Sequence, residues 1–197
     1  MVSGRRVRFL AGALVLASGA AWAHFDRNSG VAGKSVSPRG GWTVTSPRRL
    51  QDDIDRAPSI AYLRGPALRS RRLMGYERTL DVFWPSDGRH VILLSSTTHF
   101  STMRIFALGP RDIFPPDRIE RAIERSLAAR GPRLGTIENR TIAISVRGRR
   151  PCLQIEESGL PPGQTEGSYI ARKALFSLDL DKGVAMHARD CAARTPL

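Results

Sequence analysis

Cysteine, lysine and long apolar runs are the scarce features of this chain, and each scarcity removes a class of protein. Only Cys152 and Cys191 are cysteines among 197 residues, too few for a disulfide-dense mini-scaffold or a cysteine-ligated metal module. The longest apolar stretch, Phe9 to Ala23, is loosened by Gly12, Ser18 and Gly19 and is shorter than the ~20 residues a spanning helix needs, so a bundle of membrane helices is excluded. Histidine is scarce too. His24, His90, His99 and His187 are scattered, with no H-E-x-x-H or H-x-H spacing, so no metal or cofactor pattern is readable. No G-x-S-x-G elbow, internal repeat or stacking motif of the RNA-binding kind is present.

What the chain has in excess is arginine. Lysine and arginine number 31 against 18 Asp plus Glu, a formal charge of +13. Only Lys34, Lys173 and Lys182 are lysines, a bias that GC-rich coding imposes without any chemical reason. The apolar fraction of 41% and charged fraction of 25% are those of an ordinary globular domain rather than a disordered tail.

The N-terminus reads as an address. Arg5, Arg6 and Arg8 precede the apolar stretch, which closes on Ala21-Trp22-Ala23, small residues at the third and last places before a cut. This is the layout of a signal peptide over 1–23, with His24 opening the mature chain. A periplasmic or secreted location follows. The alternative is an uncleaved N-terminal segment that tethers the protein to the inner membrane. Cleavage removes three arginines and no acid, leaving +10 of the +13.

Residues 24–45 are rich in Gly, Ser, Pro and Arg without periodicity and read as a flexible leader, because they offer little apolar surface against the cost of ordering. Ser46-Pro47 has the form of a helix start, with a short helix expected over Arg48 to Arg56. The stretch Ala57 to Glu77 is ambiguous, broken by Pro58, Gly65, Pro66 and Gly75. Alternation then predicts strands at Leu80–Trp84, His90–Ser95, Thr102–Leu108, Thr141–Val146, Pro151–Glu156, Ile170–Leu180 and Val184–Ala188. Ile119, Ala122, Ile123 and Leu127 share one face of a helix over 117–129, stopped by Gly131-Pro132. The expected architecture is α+β: residues 46–197 form one domain, a mainly antiparallel sheet of about seven strands covered by that principal helix.

Candidate chemistry is sparse. Ser95-Ser96-Thr97-Thr98-His99-Phe100-Ser101-Thr102 concentrates hydroxyls around a histidine, so Ser96 or Ser101 with His99 is the one arrangement a small periplasmic hydrolase could use. A hydrogen-bonded turn explains the same residues. His24 at a cleaved terminus offers an amine and an imidazole to copper or another transition metal; the leader after it reads as mobile, so it is assigned no site. Arg64, Arg69, Arg71, Arg72 and Arg78 cluster around Tyr76, and arginine forks suit phosphate or carboxylate. In an exported protein these point to an acidic envelope component (an anionic lipid head group, phosphate or acidic polysaccharide) or to another envelope protein, and away from nucleic acid. The expected role is a non-catalytic binding or assembly module.

Two cysteines in an exported chain predict one disulfide, Cys152 to Cys191. It closes a loop of roughly 40 residues and contributes about 4 kcal/mol by loop entropy. Intact-mass analysis of the exported protein with and without reductant is expected to differ by two hydrogens, and two freely alkylated thiols before reduction would remove the bond.

Overall fold

The computed structural model describes residues 21–29, 32–47, 58–66, 68–108, 116–146 and 150–188. Within them the chain is mostly β: twelve strands in three separate four-stranded antiparallel sheets, with one α-helix, Pro116–Arg130 (α1). The central sheet has the order β1 (Ala21–Asp26), β6 (Thr79–Trp84), β7 (His90–Ser96), β8 (Ser101–Ala107). An N-terminal sheet runs β2 (Gly33–Val36), β3 (Thr43–Ser46), β4 (Ser59–Gly65), β5 (Leu68–Tyr76). A C-terminal sheet runs β12 (Val184–His187), β11 (Ile170–Asp179), β10 (Cys152–Leu160), β9 (Thr136–Ser145).

The expectation of one seven-stranded sheet covered by a principal helix is therefore overturned. The seven strands read from alternation correspond to β6 through β12, but they are divided between two sheets. Alternation fixes which way each side chain points and is silent on which strand lies beside which. The third sheet comes from residues read as leader or as ambiguous. Within the stretch read as a flexible leader, Gly33–Val36 pairs as a strand with Thr43–Ser46. Ser46 closes β3, and its Oγ meets the Tyr76 hydroxyl at 2.6 Å in the interior. The helix expected over Arg48 to Arg56 lies outside the described residues.

Breakers hid β4 and β5 because they mark irregular pairing rather than the absence of strands. The β4–β5 register shifts at Ala61/Tyr62 and again at Leu63/Gly65, as bulges allow. The Trp42 ring lies where a Cβ on Gly65 would stand. At the other end, β10 runs past Glu156, where the expected strand stops, through the glycine at 159, with a bulge where the Thr136 carbonyl leaves no room for a side chain.

Strand β7 shows how the layers stack. His90 through Ser95 are all buried. Val91 and Leu93 join Leu80, Val82 and Trp84 in a core closed by Val44, Ala61, Leu63 and Tyr76 of the N-terminal sheet. Ile92 and Leu94 face the opposite core, with Phe83, Met103 and Ile105, against Ile142, Ile144, Leu153, Ile155, Phe176 and Leu178 of the C-terminal sheet. Helix α1 inserts Ile119, Ile123 and Leu127, one turn apart, into this second core and touches β8, β11 and β12. It is a wedge inside a layer rather than a cover over a sheet. Fully burying side chains of this kind stabilises by about 1.5–3 kcal/mol each.

A charged network ties α1 to the C-terminal sheet. Glu157 on β10 has a fully buried carboxylate, met by Arg140 Nε of β9 at 2.6 Å and Arg172 Nε of β11 at 2.7 Å. Arg140 also bonds Glu124 of α1. Burial by itself would lower the Arg140 pKa; the charges of Glu157 and Glu124 and their hydrogen bonds outweigh it and hold the pKa above its ordinary value. Arg104 of β8 adds a 2.8 Å pair with Glu120. Removing the buried member leaves Arg172 without its carboxylate and Arg140 with Glu124 alone. Glu157→Ala is expected to cost about 3–5 kcal/mol in urea unfolding, whereas Glu124→Ala, whose side chain is 43% exposed, is expected to cost under about 1 kcal/mol.

Candidate functional site

Pairing register sorts the side chains of the N-terminal sheet into two faces. On the inner face stand Val44, Ala61 and Leu63, buried against the central sheet. The residues between them point outward. One row crosses all four strands as Lys34, Thr45, Tyr62, Arg72, each opposite the next in register. A second row is Val36, Thr43, Arg64. A concavity of about 500 Å³ on this face is lined by Lys34, Thr45, Tyr62, Arg64 and Ser70, among others.

The charge of this sheet has one sign. Strands β2 to β5 carry Lys34, Arg64, Arg69, Arg71 and Arg72 and no carboxylate. Among the described residues, no ion pair involves Lys34, Arg64 or Arg72. On the strands of the other two sheets, and in the turns at Arg89 and Arg150, cations meet carboxylates: Arg104 with Glu120, Arg140 and Arg172 with Glu157, Arg150 with Asp179, Arg89 with Asp181 and Lys173 with Glu156. The outer face is thus a patch of cations beside hydroxyls and one phenol.

The arginine cluster read from the sequence is only partly assembled. Arg64 and Arg72 share the outer face. Arg71 pairs in register with Leu63 and so points the other way. The Arg69 side chain is outside the described set. Arg78 stands in the turn after β5, where Nη1 donates to Thr98 Oγ1 at 3.2 Å. Tyr76 is buried in the core and anchors none of them. Sequence reading missed Lys34, Thr45, Tyr62 and Ser70, because their strands were not recognised. A usable signal was present: no acid occurs from Asn28 through Gln51, or from Arg56 through Tyr76.

The hydroxyl-rich segment makes a turn rather than a nucleophile and base. Ser96 Oγ and Ser101 Oγ are 3.1 Å apart across the β7–β8 hairpin. His99 is exposed, with Nδ1 3.0 Å from Asn139 Oδ1. The amide oxygen accepts, which assigns the proton to Nδ1. Thr97 closes the turn by donating to the Phe100 carbonyl at 3.2 Å. The serine–histidine contact on which the hydrolase reading depends is not formed. Cys152 opens β10 in the interior, and Cys191 lies outside the described residues.

A larger concavity, about 750 Å³, lies between the turn after β6 and the turn after β11. Its lining is self-neutralised: Arg89 meets Asp181 at 2.5 Å and Arg150 meets Asp179 at 3.3 Å. Among the described residues no three His, Cys, Asp or Glu side chains converge as a metal site, and no helix is long and apolar enough to cross a membrane. Comparison with protein-family models, curated proteins and solved structures finds no match to this chain.

Asp87, at the rim of that larger concavity, has a structural role. Its Oδ1 accepts from the Arg89 and His90 backbone N–H at 2.8 and 3.2 Å, and Oδ2 lies 2.7 Å from Nδ1 of buried His90. Partial burial alone would raise its pKa. The His90 hydrogen bond, the two backbone bonds and the His90 charge outweigh this and hold it below the ordinary 3.8. A depressed carboxylate stabilises the fold above its unfolded pKa, and that contribution is lost as pH falls through the folded value. Asp87→Asn is expected to cost about 1–2 kcal/mol near neutral pH. The gap to the parent chain should narrow below pH 3.8, as read from urea midpoints on either side of that value.

Proposed function

We propose that this protein is an exported bacterial envelope module, periplasmic or secreted after cleavage near Ala23, that acts by binding rather than catalysis through the outer face of its N-terminal sheet. The observation that carries this reading is the segregation of charge: Lys34, Arg64 and Arg72 share the outward face of strands that hold no carboxylate, while cations on the strands of the other sheets pair with carboxylates. Three cations grouped on one face with no carboxylate in their strands attract a polyanion at range and are screened by salt.

Among acidic envelope components, the face favours an acidic polysaccharide. Tyr62 offers a ring and a hydroxyl, Thr43, Thr45 and Ser70 offer further hydroxyls, and Lys34, Arg64 and Arg72 offer charge for carboxylates or sulfates. Membrane docking calls for protruding apolar side chains, and Val36 is the only large hydrophobic residue in the two outward rows that stands exposed. The Cys152–Cys191 disulfide belongs to the same reading of compartment.

The mature protein is expected to be retained on immobilised polygalacturonate and released by salt, with no retention on neutral dextran. The double variant Arg64→Glu, Arg72→Glu, on solvent-facing positions, is expected to weaken retention at least about tenfold without changing the unfolding midpoint. Unaltered binding by that variant overturns the assignment of the face. Binding to phosphatidylglycerol vesicles in preference to polygalacturonate transfers the function to a lipid surface and overturns the polysaccharide reading.

A further inference from the structure

His24 was assigned no site because the residues after it read as a mobile leader. The structure removes that reason. His24 lies within β1, paired with β6 and directly opposite Asp81. Its Nδ1 is 2.7 Å from Asp81 Oδ1. The same carboxylate oxygen accepts from Trp22 Nε1 at 3.2 Å. The opposite face of β1 fixes the strand: Phe25 is buried and Ala23 packs against the same core. The imidazole is 45% exposed and the carboxylate 13% exposed, so the pair is reachable from solvent but held by the sheet.

The proposed signal-peptide cut, between Ala23 and His24, falls inside this strand. Cleavage there does two things at once. It converts the His24 amide into a primary amine next to an imidazole whose Nδ1 already faces a carboxylate. It also carries away Trp22, and with it a hydrogen bond to Asp81 Oδ1, freeing a lone pair on that oxygen. Resting on the proposed cleavage after Ala23, we infer that processing builds a metal site on the edge of the central sheet: the α-amine of His24, His24 Nδ1 and Asp81 Oδ1 bind one divalent copper ion. Two nitrogens and one carboxylate oxygen form the N,O donor set that copper(II) takes in tetragonal geometry, and copper(II) heads the affinity order of the divalent first-row metals at such sites. An amine and an imidazole on one residue chelate copper weakly in any peptide. The fold adds the third ligand and fixes the imidazole against it, so Asp81 separates a built site from an ordinary terminal histidine. The site faces away from the core of the N-terminal sheet and is independent of the cationic patch.

The test begins with N-terminal sequencing of the protein recovered after export. A chain starting at His24 is then titrated with copper(II) chloride against a chromogenic chelator, and its electron paramagnetic resonance spectrum recorded. The expected result is one copper per chain with two coordinated nitrogens. Asp81→Asn is expected to weaken binding roughly 10- to 100-fold, to the level of a free peptide with the sequence of residues 24–30. A chain with Gly-Ser-Gly-Ser added before His24, which moves the amine away without placing the histidine third in the chain, where amine, amides and imidazole bind copper(II) unaided, is expected to lose stoichiometric binding, and circular dichroism of each form checks that the sheets are intact. Equal affinity of the parent and Asp81→Asn, or of the parent and the extended chain, overturns the site. A terminus elsewhere overturns the cleavage reading and removes the site from the natural protein. A chain trimmed in vitro to begin at His24 tells the two failures apart, because it binds copper only if the geometry is right.

Discussion

Strand β7 has no solvent face, and the layering of the molecule follows from that. Val91 and Leu93 require one apolar layer while Ile92 and Leu94 require another, so the central sheet is stable only between two partners. Antiparallel sheets ordinarily leave one face wet. This one cannot, since exposing either side of β6 and β7 would return Trp84 and Val82, or Phe83 and Ile92, to water. The N-terminal sheet supplies one cover. The C-terminal sheet with α1 supplies the other. Because the chain leaves the N-terminal sheet at Tyr76 and enters β6 at Thr79, the two layers meet through a very short connection that fixes how β5 and β6 approach.

Polar groups enclosed by this stacking are satisfied where their positions are most constrained. Trp84 Nε1 donates to Ser35 Oγ at 2.8 Å between the first two layers, and Glu157 is held by two guanidiniums in the third. Such bonds add modest net energy, but leaving any of them unmade would cost more than making it contributes. The charge network also accounts for the asymmetry of the surface. Carboxylates are concentrated in β9 to β12, in α1 and in the turns, where they meet arginines, and the N-terminal sheet is left with cations alone.

The first described strand gives the N-terminal boundary an unusual character. Phe25, together with Ala21 and Ala23, packs on the same core as the N-terminal sheet, while Trp22 and His24 converge on Asp81. Processing in the middle of β1 would alter chemistry at its outward edge while leaving Phe25 in the core to hold the shortened strand. Under the proposed cleavage, loss of Ala21–Ala23 would expose the backbone of Val82–Trp84 on β6 and leave a partly open sheet edge there.

Local character was set by the sequence itself. The alternation of Leu80, Val82 and Trp84, the four-residue spacing of Ile119, Ile123 and Leu127, the turn at Asp87-Gly88 and the excess of arginine are all legible in single segments, because they depend on the geometry of one backbone element. Strands β4 and β5 were not legible, since their bulges and glycines obscure the period, and β2 and β3 are too short and polar to show one. The tertiary structure alone decided that seven strands belong to two sheets, that α1 is a wedge, and that β1 pairs with β6 across more than fifty residues. It also decided which arginines share a face, separating Arg71 from Arg72 and bringing Lys34 and Tyr62 to Arg72. Strand pairing and face sharing depend on which distant segments can bury each other's apolar sides. That is a property of the whole packed chain, which no single window of sequence contains.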